Sequence, residues 1–196
     1  EAYAYCGSKD GYITQWDLAH GRRRIMRADR SGADEPRGHT RDVLALQASP
    51  DGRLLASAGR DSTILLWDLR MMSVCKTLKG HRKEVTALAV RRDAPSAALY
   101  SGSFDRCARV HDLDQRAFVE TLFGHQEGIT ALDAIGADCV VSASEDRTLR
   151  MWKVSKPGKR VGAHARVQAD PSIFARRWQR RRSCSSRMAT RRRLTP

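Results

Sequence analysis

Short apolar runs separated by turn residues dominate the chain as far as about residue 155. Val43-Leu44-Ala45-Leu46, Val85-Thr86-Ala87-Leu88-Ala89-Val90 and Ile129-Thr130-Ala131-Leu132 are short and rich in aliphatic or β-branched residues. Leu54-Leu55-Ala56-Ser57, Thr63-Ile64-Leu65-Leu66-Trp67 and Phe118-Val119-Glu120-Thr121-Leu122 have the same character. Branched and aromatic side chains fit the pleated surface of a sheet, so each run predicts a strand. Ser49-Pro50-Asp51-Gly52 is turn chemistry: proline presets φ at the second position and glycine permits the last. No apolar run approaches the roughly 20 residues that a membrane-spanning helix needs.

The strands fall into a repeat. Gly-His occurs at Gly38-His39, Gly80-His81 and Gly124-His125, in steps of 42 and 44 residues, each just ahead of one of the first three runs. The second strand of each unit carries Ser57, Ser101 or Ser142. Four residues beyond each serine stands Asp61, Asp105 or Asp146, and six beyond each aspartate Trp67, His111 or Trp152. Cys6, Asp10 and Trp16 open the chain at the same 4 and 6 spacings, as a partial unit. Several short strands per unit, repeating at this period, predict an all-β chain of β-propeller blades.

These residues resemble the WD40 family. The Gly-His dipeptides, the aspartate turn before each third strand, and Trp16-Asp17 and Trp67-Asp68 are its hallmarks, over about residues 3–154. Three positions depart from the pattern: His111-Asp112 replaces Trp-Asp, Trp152-Lys153 loses the aspartate, and Cys6 stands where a serine is expected. The resemblance implies a buried tetrad in which aspartate holds histidine, while histidine, serine and tryptophan share hydrogen bonds. The sets would be His39, Ser57, Asp61 and Trp67; His81, Ser101, Asp105 and His111; and His125, Ser142, Asp146 and Trp152. A hydrolytic triad needs one activated serine beside an oxyanion hole. A trio recurring in every unit instead suits a network that satisfies polar groups and fixes blade geometry. His111 has no indole to offer, so its tetrad is expected to be the weaker one. No second ligand stands at a spacing that would give His111 a metal role.

The fold class expected is therefore a WD40 β-propeller fragment of about three and a half blades, where rings close with about 4–8. The resemblance implies a ring of about seven. An outer strand after Trp152 is hard to find in the sequence. An open arc would expose apolar blade faces, and the chain begins Glu1-Ala2-Tyr3 without Met or a signal-peptide pattern. It therefore reads as part of something longer.

Charge divides the 196 residues at the Lys156-Pro157-Gly158 turn. Residues 1–155, the partial propeller, hold 23 Lys plus Arg against 21 Asp plus Glu, whereas residues 156–196 hold 13 against 1. Nearly all of the net charge of +14 thus sits in the tail. So basic a block, with few apolar residues, is expected to be of low order when free. Three readings stand open for it: RNA binding, nuclear import through Arg176-Arg177-Trp178-Gln179-Arg180-Arg181-Arg182 and Arg191-Arg192-Arg193, or a frame change or unspliced sequence after about residue 155. Five scattered cysteines, never in a C-x-x-C pair, argue against a disulfide framework and a zinc site, and for a reducing compartment.

A narrower resemblance concerns function. Phe118 through Ala134, with Phe123-Gly124-His125-Gln126-Glu127-Gly128 at its centre, is similar to the family of WD-repeat subunits specific to the U3 small nucleolar ribonucleoprotein. Gly80-His81-Arg82-Lys83-Glu84-Val85, Tyr100 through Arg106, Met151-Trp152-Lys153-Val154 and the basic insertion from Arg22 to His39 share that similarity. It implies a nucleolar, non-catalytic protein without cofactor. Its partners would be U3 small nucleolar RNA at the box B/C element, kink-turn-binding and other particle proteins, and the pre-ribosomal particle, in the processing of small-subunit ribosomal RNA. Arg60, Arg106 and Arg147 adjoin the tetrad aspartates in solvent-facing turns and are candidate phosphate ligands. Arg22, Arg23, Arg24, Arg91 and Arg92, read as loop residues, extend the candidate RNA surface.

Two rival readings stand beside this one. Asp61, Trp67, Asp68 and Arg70 match the family pattern that docks such repeats onto adaptors of cullin-4 ubiquitin ligases, which would make the chain a substrate receptor. The other is a scaffold in a different complex. An enzyme is the least expected class, because no glycine-rich phosphate loop, metal cluster or isolated nucleophile–base pair is present in the sequence.

Overall fold

The computed structural model describes residues 2–26, 38–91, 97–135 and 139–153. The apolar runs form antiparallel strands, each pairing with its neighbour in sequence. The first sheet holds β1 (Tyr3–Gly7), β2 (Ile13–Asp17) and β3 (Arg22–Met26). The second holds β4 (Val43–Ala48), β5 (Leu54–Gly59), β6 (Ile64–Asp68) and β7 (Ser73–Leu78). The third holds β8 (Val85–Val90), β9 (Ala98–Ser103), β10 (Cys107–Asp112) and β11 (Ala117–Phe123). The fourth holds β12 (Ile129–Ile135), β13 (Cys139–Ser144) and β14 (Leu149–Lys153). No helix occurs among the described residues. The all-β, blade-like architecture expected from the repeat is therefore present.

Corresponding features recur at corresponding places. The register shifts once at the start of the first strand of each later sheet, between Val43 and Ala45, Val85 and Ala87, and Ile129 and Ala131. Such bulges sharpen local twist, which lets successive sheets fan around a shared side. That side is lined by the first strands, with β8 packed between β4 and β12.

Apolar clusters fill the gaps between sheets. Tyr5, Ile13 and Met26 of the first sheet meet Leu55, Leu65 and Trp67 of the second. Ala58, Leu66 and Leu78 meet Val85, Leu88 and Leu99. Tyr100, Ala108 and Val110 meet Ile129, Val140 and Trp152. Each sheet is buried by its neighbours, as stacked repeats require.

The two end faces have no such cover among the described residues. Cross-strand pairing puts Ala4, Cys6, Thr14, Trp16, Arg23 and Ile25 on one face of the first sheet, turned away from the second. Trp16 is consequently 38% exposed, whereas its counterpart Trp67 is 1% exposed. The tail assigned to 156–196 lies outside the described residues.

Candidate functional site

Each tetrad is built by a loop, a strand, a turn and a second strand. In the second sheet, His39 precedes β4, Ser57 lies on β5, Asp61 in the β5–β6 turn and Trp67 on β6. His39 Nδ1 lies 3.0 Å from Asp61 Oδ2, and its Nε2 lies 2.7 Å from Ser57 Oγ. Trp67 Nε1 donates to the same Oγ at 2.8 Å. The protons can be placed by elimination. An ionised carboxylate only accepts, so Nδ1–H donates to Asp61; Nε2 then accepts the Ser57 hydroxyl proton, and Ser57 accepts from the indole.

The fourth sheet repeats this geometry. His125 Nδ1 is 2.8 Å from Asp146 Oδ2, His125 Nε2 is 2.7 Å from Ser142 Oγ, and Trp152 Nε1 donates to Ser142 at 2.8 Å. In the third sheet, His81 Nδ1 and Nε2 lie 2.8 Å from Asp105 Oδ2 and 2.8 Å from Ser101 Oγ. His111 replaces the indole with a longer contact, 3.2 Å from Nε2 to Ser101 Oγ. Since the hydroxyl proton goes to His81, His111 must donate from Nε2. Its Nδ1 is then a buried acceptor, and it has no partner.

Electrostatics follow from these bonds. Burial pushes the Asp61 carboxyl up, but His39 and the donors around it outweigh burial and hold it at about 2. Asp105 is likewise held at about 2, burial being overcome by His81 and backbone donors. Asp146 lies well below the usual carboxylate range for the same balance. For His111, burial comes first, then the nearby His81 and Arg109, and together they lower it to about 3. Burial also lowers His125, against the pull of Asp146.

Some contributors were not legible as site residues in the sequence. Thr63 Oγ1 donates to Asp61 at 2.7 Å and Thr148 Oγ1 to Asp146 at 2.6 Å. The backbone amides of Thr40, Arg82 and Gln126, each just after a tetrad histidine, donate to Asp61, Asp105 and Asp146 in turn. The threonines stand two residues past the aspartate, a recurrence visible in the sequence; Cys107 occupies that place in the third sheet. Arg109 and Arg150 also recur, each two residues before the indole position. Gly80 and Gly124 stand at φ of 140° and 159°, where a side chain is strained, and a Cβ there would also displace the Arg109 or Arg150 guanidinium.

The arginines proposed for RNA are dispersed. Arg60, Arg106 and Arg147 are exposed in the β5–β6, β9–β10 and β13–β14 turns. Arg60 is occupied by carboxylates, 3.3 Å from Asp42 and 3.9 Å from Glu84. Arg106 donates to the Gln126 carbonyl at 3.4 Å. Arg22, Arg23 and Arg24 do not lie in a loop: they form β3, where Arg23 pairs with Trp16 and Arg24 with Gln15. Backbone pairing with β2 supplies a strand that local polarity hides, and all three side chains remain exposed. Arg91 is a correction of a different kind. It directly follows β8 and is only 3% exposed, so it belongs to the interior and not to an exposed loop surface. Arg92 lies outside the described residues. Of the adaptor-type set, Asp61 and Trp67 are committed to the tetrad, and Asp68 accepts from the Arg70 amide at 2.8 Å while the Arg70 side chain is exposed.

Known proteins share this pattern. The WD domain, G-beta repeat family matches residues 34–68, 72–112 and 116–153. The chain belongs to the WD40 repeat family. This WD40 chain is 33% identical over 157 residues to U3 snoRNP-associated protein-like EMB2271 of Arabidopsis thaliana, across 75% of the chain and 32% of that relative. Against Ribosomal RNA-processing protein 9 of Saccharomyces cerevisiae it is 27% identical over 194 residues, across 91% of the chain and 33% of the relative. A solved structure of U3-55K aligns with a TM-score of 0.71 at 35% identity, over 82% of this chain and 50% of that one. The chain spans about a third of the length of these curated relatives.

Proposed function

We propose that this WD40 chain is part of a non-catalytic subunit of the U3 small nucleolar ribonucleoprotein. In this reading it binds U3 small nucleolar RNA near box B/C, alongside kink-turn-binding partner proteins, and serves pre-ribosomal RNA processing for the small subunit in the nucleolus. The observation that carries the reading is its likeness to U3-55K over most of its length, at 35% identity. The tetrads then act as scaffold: they hold the turns rigid so that exposed side chains keep fixed positions.

The exposed arginines of β3 are candidates for phosphate contact, because no described carboxylate forms an ion pair with them. A guanidinium that neutralises a phosphate releases a counterion, so each lost contact lowers both affinity and its salt dependence. In the full-length protein, the triple reversal R22E/R23E/R24E should weaken capture of a U3 transcript and flatten the plot of log K against log salt. Unchanged capture across salt would reject the role of β3 in the binding.

A further inference from the structure

The face of β10 and β11 turned toward the second sheet carries an unusual combination. Cross-strand pairing places Cys107 beside Phe123, Arg109 beside Thr121, and His111 beside Phe118. Phe123 is 74% exposed and Phe118 51%. Along the strand the two rings are separated by roughly 13 Å, four residues of β10. Between them the Arg109 guanidinium lies 5.7 Å from the centre of the Phe118 ring.

Cations gather at the Phe123 end. Arg106 and Arg109 flank Cys107, the cross-strand partner of Phe123, and the backbone amide of exposed Arg82 donates to neighbouring Asp105 at 3.0 Å. The carboxylate in the same neighbourhood, Asp105, is taken up by His81 at 2.8 Å. Among the described residues none of the three arginines is in an ion pair. Arg106 is also held in place, by its φ of 72° in the turn and by its bond to the Gln126 carbonyl.

We infer that this strip, with Phe123 as its platform, binds an unpaired stretch of RNA: bases stack on the exposed rings, and Arg82 and Arg106 take the adjoining phosphates. The inference rests on the RNA-binding reading above and adds to it a place and a strand state. Aromatic faces interleaved with cations suit single strands, whose bases can be splayed out, and not a duplex, whose bases are already stacked. A polar Thr121 interrupts the two rings, so the strip lacks the contiguous apolar area of a protein-docking patch.

The test uses the full-length protein, an in vitro U3 transcript and a fully paired RNA duplex of equal length. Because Phe123 is largely exposed, its replacement leaves the core intact. Phe123→Ala should weaken binding of the transcript by about 5- to 150-fold, the range expected for one stacked base. Phe123→Trp should retain binding, and both variants should bind the duplex as the parent does, with an unaltered salt slope. Equal transcript affinity in Phe123→Ala overturns the inference, as does an equal loss toward the duplex. Loss of a particle protein with RNA affinity unchanged overturns it too, and makes the strip a protein site. A parent protein that ignores the transcript removes the RNA reading itself; flattening by R22E/R23E/R24E beside an inert Phe123→Ala removes this inference alone.

Discussion

One serine hydroxyl sits at the centre of each tetrad, bonded to a histidine and accepting from an indole, or in the third sheet from His111. Ser57→Ala would leave His39 Nε2 and Trp67 Nε1 buried without partners, which should cost about 1–3 kcal/mol of stability in a urea titration. A smaller loss is expected for Ser101→Ala, where the second bond is the longer one to His111. His111 also sets a pH dependence. Its folded value of about 3 lies below the ordinary 6.5, so the unfolded chain binds the proton more readily. Stability is therefore full above about pH 6.5 and falls as pH drops from there toward 3, by up to about 1.4 kcal/mol per pH unit. The aspartates act lower: Asp61 and Asp105 contribute above their ordinary 3.8, and that contribution is lost as pH falls toward about 2. His111→Trp should bring the third sheet to the pattern of the other two and reduce the slope between pH 6.5 and 4. Chemical denaturation at stepped pH checks this, and an unchanged slope would count against the role given to His111.

At the scale of the element, the turns show what a sequence reveals and what it hides. The spacing of Ser, Asp and Trp located the second and third strands of each unit, because those residues must converge on one buried point. Outer strands have no such obligation. Arg22-Arg23-Arg24 reads as a polar loop, yet β2 supplies the backbone partner that makes it β3. Arg91 misleads in the opposite direction: a charged residue just after a short run looks exposed, but it follows a strand packed between two others and is buried. Non-local packing decides both cases, and a local pattern does not contain it. The contact of Arg109 with Gly80 was partly legible, since Arg109 and Arg150 recur two places before the indole position. At Gly80, φ is 140°, and a Cβ would need the space held by the guanidinium. Gly80→Ala should therefore lower stability by more than about 1 kcal/mol. Adding Arg109→Leu, which copies Leu65 at the equivalent place in the second sheet, should recover part of that loss in thermal denaturation.

For the whole molecule, the chain is a set of WD40 sheets whose end faces are uncovered among the described residues. The repeat made the fold readable because each unit states the same constraints again. Function was less readable, since tetrad residues build any propeller of this kind and fold does not imply function. The functional readings rest instead on surface chemistry: the exposed arginines of β3 and the exposed rings of β11. The most direct test is ultraviolet crosslinking of the full-length protein in cells, followed by sequencing of the attached RNA. The account predicts strong enrichment of U3 small nucleolar RNA over other abundant RNAs. Recovery of RNA at background level, or with no preference for U3, would contradict it.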